Sequence, residues 1–277
     1  MADMGKYFRC RISEITETLS KNGIKMPQLQ RGRPRKEITE EESQKINSYK
    51  KDFNTGYQRT AEAVTKHGTP VSSYKTHLVF EMDGLFTREK EFIPDTTHKK
   101  RFVARYVNQI WHTDLHYWDK ETINEVLVDT FLIAFIDDRS RKIIHLEILK
   151  ERTMKATAEA LRKTLEDNPK PHQIVIDNGK EFIGKEFQEV LKSKGIKEPR
   201  IHVGEPEENG KIERFWGTLE RTLIDRSKLQ EFVDEYNKIW SHRGLKSIMK
   251  RKMTPEEAWR KMDHYEGRDD LVIDYYE

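Results

Sequence analysis

Ile176-Asp177-Asn178-Gly179-Lys180-Glu181-Phe182 closes a short apolar run on an aspartate and a glycine, and Asn209-Gly210-Lys211-Ile212-Glu213-Arg214-Phe215-Trp216 follows, with 35 residues between Asp177 and Glu213. A branched, apolar run that stops at Asp-Asn-Gly reads as a strand, Gln173 to Ile176, delivered into a turn. Ile212, Phe215, Trp216, Leu219 and Leu223 recur at helical spacing, so Glu213 sits on a helix from about Asn209 to Arg226. Upstream, Trp111-His112-Thr113-Asp114 lies inside another apolar run, with 62 residues between Asp114 and Asp177. Two strands and a helix can therefore bring three carboxylates together. Phosphodiester transfer needs an activated water or hydroxyl and stabilisation of the charge that develops, which two divalent ions about 3.5 to 4 Å apart can provide. Mg²⁺ takes oxygen ligands and keeps several waters, so three carboxylates are a sufficient protein share.

The surrounding pattern supplies a frame. Ile110 to Tyr117, Val126 to Asp137 and Ile143 to Ile148 are apolar and rich in branched and aromatic residues, as in three consecutive strands. Thr153 to Glu166 carries Met154, Ala158, Leu161 and Leu165 on one helical face, and Pro169 to Pro171 ends it before the strand Gln173 to Ile176. A helix, Lys185 to Lys194, then leads to a short strand, Arg200 to Val203, before the helix that bears Glu213.

These words and their spacing resemble the catalytic core shared by retroviral-type integrases and insertion-sequence transposases, over about Val107 to Arg226. The resemblance implies an α/β fold, an RNase H-like mixed five-stranded sheet with flanking helices. It implies that Asp114 bridges two Mg²⁺ (or Mn²⁺) ions, that Asp177 completes one site and that Glu213 completes the other. The reaction implied is release of a 3′ end of mobile-element DNA and its transfer into target DNA, by a homodimer or homotetramer that synapses two DNA ends. The alternatives are a domesticated, catalytically silent DNA-binding protein and an RNase H-like nuclease that cuts without joining. Tyr236-Asn237 and Thr254-Pro255 fit the tail of insertion-sequence relatives, while Trp240-Ser241-His242-Arg243-Gly244-Leu245 departs from it.

Around the three acids, His112 shares a strand face with Asp114, either as a group that orients it or as a packed core histidine. Asn178 and Asn209 flank the other two acids, and Glu181, past the strand end, is a poorer ligand candidate than Asp177. Lys180, Lys211, Arg214 and Arg221 are placed to meet phosphates, where cations give sequence-independent affinity.

Outside the core, Ile12, Ile15 and Leu19 mark one short helix before Asn22-Gly23. Arg31-Gly32-Arg33-Pro34 resembles the AT-hook word that enters a minor groove; a basic linker or import signal is the competing reading. Thr39 and Glu42 have capping-box spacing, which predicts a helix over about Glu40 to Lys51; a second is expected over Arg59 to Lys66, ending at Gly68, and Val71-Ser72-Ser73 opens a third over Ser73 to Met82. Together they make a small helix-turn-helix-like module in which Ser73, Lys75, Thr76 and His77 would face DNA. The expected divisions are thus an N-terminal helical and basic segment (1–36), that module (37–86), a linker (87–106), the core (107–227) and a C-terminal helical tail (228–277).

Composition agrees with a DNA-acting chain. Residues 1 to 105 carry 21 Lys and Arg against 14 Asp and Glu, and the remainder 30 against 34, so the basic charge is concentrated ahead of an acidic core. Cys10 is the single cysteine, which excludes a disulfide framework and a His/Cys zinc module and suggests a reducing, intracellular setting. No apolar run approaches a membrane span or a signal-peptide core.

Overall fold

A computed structural model describes residues 12–23, 37–86, 101–123, 125–177, 179–198, 210–267 and 273–276. Two compact units divide the chain, Met1–Thr39 and Glu40–Glu277. The first holds α1 (Ile12–Lys21), where the apolar spacing predicted it. Arg31 and Arg33 lie outside the described residues.

The second unit opens with α2 (Glu40–Asp52), α3 (Tyr57–Lys66) and α4 (Ser73–Met82). Glu40, Glu41 and Glu42 occupy the first turn of α2 and Lys50 and Lys51 its last, the charge order that suits the helix dipole. Ser72 caps α4 by accepting from the Lys75 amide at 3.2 Å. Ile46, Ala63, Val64, Val79 and Phe80 form the module's interior. Two expectations for α4 need correction. Thr76 is wholly buried, its hydroxyl donating to the Ser72 carbonyl, and Lys75 Nζ pairs with Glu42 at 2.6 Å with little of its side chain exposed. Both are turned into the module, because an α4 face that packs on α2 and α3 cannot also be presented to a DNA groove.

The module is locked to later parts of the same unit. Phe53 bridges Leu223, the Asn54 amide donates to the Thr222 carbonyl at 2.8 Å, and Arg59 lies 4.8 Å over the Trp240 ring. At the centre of this junction Tyr49 Oη donates to Glu235 Oε2 at 2.5 Å and accepts from Trp240 Nε1 at 2.7 Å, while His67 Nε2 meets Glu235 Oε1 at 2.5 Å. Burial and the adjacent Glu235 charge push the Tyr49 phenol up, so it stays a neutral donor. Tyr49→Phe leaves a buried carboxylate short of a donor and is expected to cost about 1–3 kcal/mol in a urea unfolding titration; a midpoint unchanged from wild type would contradict this account of the junction.

The stretch expected as linker ends in a strand, β1 (Arg101–Ala104). The core sheet follows, built from β2 (Ile110–Ile123), β3 (Val126–Asp137) and β4 (Ile143–Leu149), then α5 (Met154–Asp167) and β5 (Gln173–Val175). Strand order is β4-β3-β2-β5, with β2, β3 and β4 antiparallel and β5 parallel to β2. A meander joined through a helix to a parallel strand on its far side is the RNase H-like arrangement. Of the five strands expected, four are described; the Arg200 to Val203 strand lies outside the described residues, beyond a parallel bridge of Lys197 to Gln173. Thr153 caps α5 as its sequence position requires, and α6 (Lys180–Ile183) and α7 (Lys185–Lys194) follow β5.

Alternation sorts the side chains of the sheet. Trp111, Ile133, Phe135 and Ile174 point to one face, where Ala158, Leu161, Phe187 and Leu191 of α5 and α7 cover them. The other face carries His112 and Asp114, opposite Ile136 and Ala134 in register, and meets α8 (Gly210–Thr222). After a 3-10 turn come α9 (Leu229–Asp234), a π-helical turn Glu235–Ile239, α10 (Arg243–Met249) and α11 (Pro255–Lys261). Thr254 and Glu257 form both legs of the capping box that the sequence announces. The last strand, β6 (Ile273–Tyr276), pairs antiparallel with β1.

Candidate active site

Asp114 stands in mid-strand on the sheet face that α8 covers. Trp216 Nε1 donates to its Oδ2 at 2.9 Å and the Leu115 amide to its Oδ1 at 2.8 Å, which fixes both oxygens. Burial raises the Asp114 carboxyl to about 6; the Trp216 hydrogen bond opposes the rise, and the negative charges of Asp177 and Glu213 add to it. The three acids thus share one electrostatic neighbourhood, and two of them make the third harder to ionise.

Asp177 follows β5 and the buried Ile176, half-buried at the mouth of a turn. Its Oδ1 accepts from the Gly179 amide at 2.9 Å, the local side-chain turn that Asp before Asn-Gly predicts. Gly179 has a second role. A Cβ there would sit 2.8 Å from Asp177 Oδ1 and 2.8 Å from Glu181 Oε1, so the two carboxylates close over a backbone that has no side chain. Gly179→Ala forces one of them aside, and with misplacement of about 1 Å able to cost around a hundredfold, any catalysis these carboxylates support is expected to fall by roughly ten- to a hundredfold. Thermal melting and initial rates together check it, since a lesion confined to the site leaves the midpoint near wild type. Asn178 lies outside the described residues, as does Asn209.

Glu213 is exposed on the first turn of α8. Ile212, Phe215, Trp216 and Leu219 bury the helix's other side, as their spacing predicted, and the Trp216 bond to Asp114 sets its rotation. A further anchor went unread in the sequence. Asp138, at the end of β3, is completely buried; it meets His112 Nε2 at 2.6 Å, bonds Lys211 Nζ and gives the Ala104 amide an acceptor at 2.6 Å. Burial alone would raise its carboxyl, but Lys211, the His112 hydrogen bond and Arg141 outweigh that and hold it below the ordinary range. The expectation that Lys211 meets DNA phosphate is therefore corrected. Its ammonium is directed into the core at Asp138, two residues before Glu213, and acts on the helix. His112 is a core histidine with a polar partner, and its effect on the site also runs through Asp138. The signal in the sequence was Asp137-Asp138, two acids ending a strand too apolar to be solvated.

Among the described residues no three Asp, Glu, His or Cys side chains already converge on one point. The donor set itself suits a hard divalent ion: carboxylate oxygens from β2, the β5 turn and α8, without sulfur or imidazole. Lys180, Arg214 and Arg221 are exposed, and Arg214 Nε donates to the Gly210 carbonyl at 3.0 Å. A groove of about 540 Å³ bounded by Trp118, Ile148, Arg226 and Val233 contains none of these residues.

Two family models match this region. Models described as the integrase core domain match residues 104–206 and 194–249. The chain carries a DDE-type integrase or transposase core in that span. Among its relatives is the transposase for insertion sequence element IS904 of Lactococcus lactis subsp. lactis (strain IL1403), 25% identical over 143 residues, which are 51% of this chain and 54% of that protein. The chain thus matches about half the length of this curated relative. Similar solved structures include the HTLV-2 integrase catalytic core domain in complex with magnesium, at 21% identity and TM-score 0.43, covering 56% of this chain and 97% of that one. A simian T-cell lymphotropic virus intasome structure matches at 16% identity and TM-score 0.48, over 82% of this chain and 79% of that one. Among the described residues no helix is long and apolar enough to cross a membrane.

Proposed function

We propose that this chain is a transposase or integrase that hydrolyses a phosphodiester at a mobile-element end and joins the freed 3′ hydroxyl to target DNA. Asp114, Asp177 and Glu213 are its catalytic carboxylates and would hold two Mg²⁺ or Mn²⁺ ions, which supply an activated water and stabilise the charge at phosphorus. The observation that carries the reading is the placement of Asp114 on β2, Asp177 at the turn after β5 and Glu213 on the first turn of α8, within the span that matches the integrase core. Trp216 and the Leu115 amide orient Asp114, the Gly179 amide orients Asp177, and the Asp138–Lys211 pair seats the helix that presents Glu213. No covalent enzyme intermediate is required, because water and the DNA's own 3′ hydroxyl serve as nucleophiles.

Lys180, Arg214 and Arg221 are the DNA-phosphate contacts proposed near the site, and Arg31 and Arg33 those ahead of the core. Double-stranded DNA ends and target are the partners, and synapsis of two ends implies a dimer or tetramer. The test is a labelled duplex carrying the DNA that flanks the coding region, incubated with Mg²⁺ and a supercoiled target. Joined products support the proposal. Cutting without joining leaves a nuclease, and binding without cutting leaves a silent DNA-binding protein.

A further inference from the structure

Arg152 immediately precedes Thr153, the cap of α5, and its side chain crosses to α6. Its Nε donates to Glu181 Oε1 at 2.7 Å and its Nη2 bonds the same oxygen. The two partners differ in exposure: the Glu181 side chain is 7% exposed and that of Arg152 is 52% exposed. Glu181 is held from behind. Thr157 Oγ1 donates to its carbonyl at 2.8 Å and the next residue, Phe182, is wholly buried in the core.

Glu181 Oε1 and Asp177 Oδ1 each lie 2.8 Å from the Cβ position that Gly179 leaves empty, so those oxygens are within twice that distance of one another. The guanidinium bound to Glu181 therefore lies in the neighbourhood of Asp177, and the charges of both Asp177 and Asp114 act on it. A guanidinium has five N–H donors in a planar fork. One edge is engaged by a fixed, buried carboxylate, while the remaining nitrogen, Nη1, makes no hydrogen bond among the described residues and the side chain is about half exposed. A cation kept only to neutralise Glu181 would need no planar fork. A fork with one edge clamped and the other open at the rim of an acidic site matches the bidentate geometry of phosphate recognition.

We propose that Arg152 is a DNA-phosphate ligand of this site, its guanidinium fixed by Glu181 so that the open edge takes a backbone phosphate of the strand being cut or joined. The inference rests on the DNA-joining reading above and extends it to a residue outside the acidic triad. The test measures binding of a fluorescent mixed-sequence duplex against salt concentration in Ca²⁺, which accepts the same oxygen donors, alongside joining rates in Mg²⁺. R152A is expected to lower the slope of log affinity against log salt by about 0.9, the value of one phosphate contact. R152K keeps the charge and the slope but joins slowly, since an ammonium cannot serve Glu181 and a phosphate through one plane. E181Q keeps the slope and joins slowly, because the guanidinium is present but no longer aimed.

A wild-type slope in a folded R152A overturns the inference and leaves the function standing. If R152A does not fold, R152K decides: joining within twofold of wild type overturns it. Failure of the wild-type protein to bind any duplex overturns both this inference and the reading it rests on.

Discussion

Asp177→Ala and Glu213→Ala are each expected to lower DNA cleavage and joining by at least about a thousandfold while leaving duplex binding and the thermal midpoint near wild type. Removing one preorganised group that stabilises transition-state charge typically costs a hundred- to a thousandfold, and loss of a cation ligand also removes the activated water. Neither side chain holds the fold together. Glu213 is exposed and Asp177 is half-buried in a surface turn, so no cavity and no orphaned buried partner is left behind. Removal also relieves repulsion on Asp114, whose carboxyl the other two acids push upward.

The same variants carry a readout that does not involve DNA. A ligand that binds only the folded state stabilises it by RT ln(1 + [L]/Kd), so the wild-type midpoint is expected to rise with Mg²⁺ or Mn²⁺, by about 2.7 kcal/mol of stability when the ion is at a hundred times its Kd. In either alanine variant that rise should shrink or vanish. Melting curves with and without Mg²⁺ check it, and a full metal-dependent rise in Glu213→Ala would remove Glu213 from the ligand set whatever the activity shows.

Much of the local structure around the candidate site is legible in the sequence, for a physical reason. Asp177 is announced by local chemistry, an apolar strand ending at Asp-Asn-Gly, and Glu213 by the apolar stripe Ile212, Phe215, Trp216 and Leu219. Periodicity and turn chemistry are short-range properties, so the helix Lys185–Lys194, the strand Val126–Asp137 and the Thr254 capping box are written in consecutive residues. What escaped was long-range. β1 is a four-residue strand that, among the described residues, takes its register from β6, far along the chain, so nothing local distinguishes it from linker. Lys75 and Lys211 read as cations available to DNA because their partners, Glu42 and Asp138, lie on other elements. The docking of the helical module through Tyr49, Glu235 and Trp240 is likewise invisible to any pattern within one segment.

Asp138→Ala is expected to be the most damaging single change to stability. The carboxylate is fully buried and serves Lys211, His112, the Ala104 amide and, at 3.9 Å, Arg141. Removing one partner of a buried ion pair strands the other in a medium that cannot solvate it, a cost of about 3–5 kcal/mol. For a unit of this size roughly 2–4 °C of midpoint accompanies each kcal/mol, so melting is expected to fall by about 10 °C. The pH dependence has a definite sign. Asp138 is held below the ordinary carboxylate range, so its stabilisation is complete above a pH of about 4 and is lost as the pH falls further; the variant should lose less stability than wild type on acidification through that window. Lys211→Met in the Asp138→Ala background takes away the stranded ammonium, and the double variant is expected to recover part of the loss, since an apolar replacement of a whole buried pair is often close to neutral. Strictly additive losses in this cycle would show that Asp138 and Lys211 are not coupled. Cleavage separates the two roles of the pair: the double variant regains stability but not full activity, because the bond that seats the first turn of α8, and Glu213 with it, is still missing.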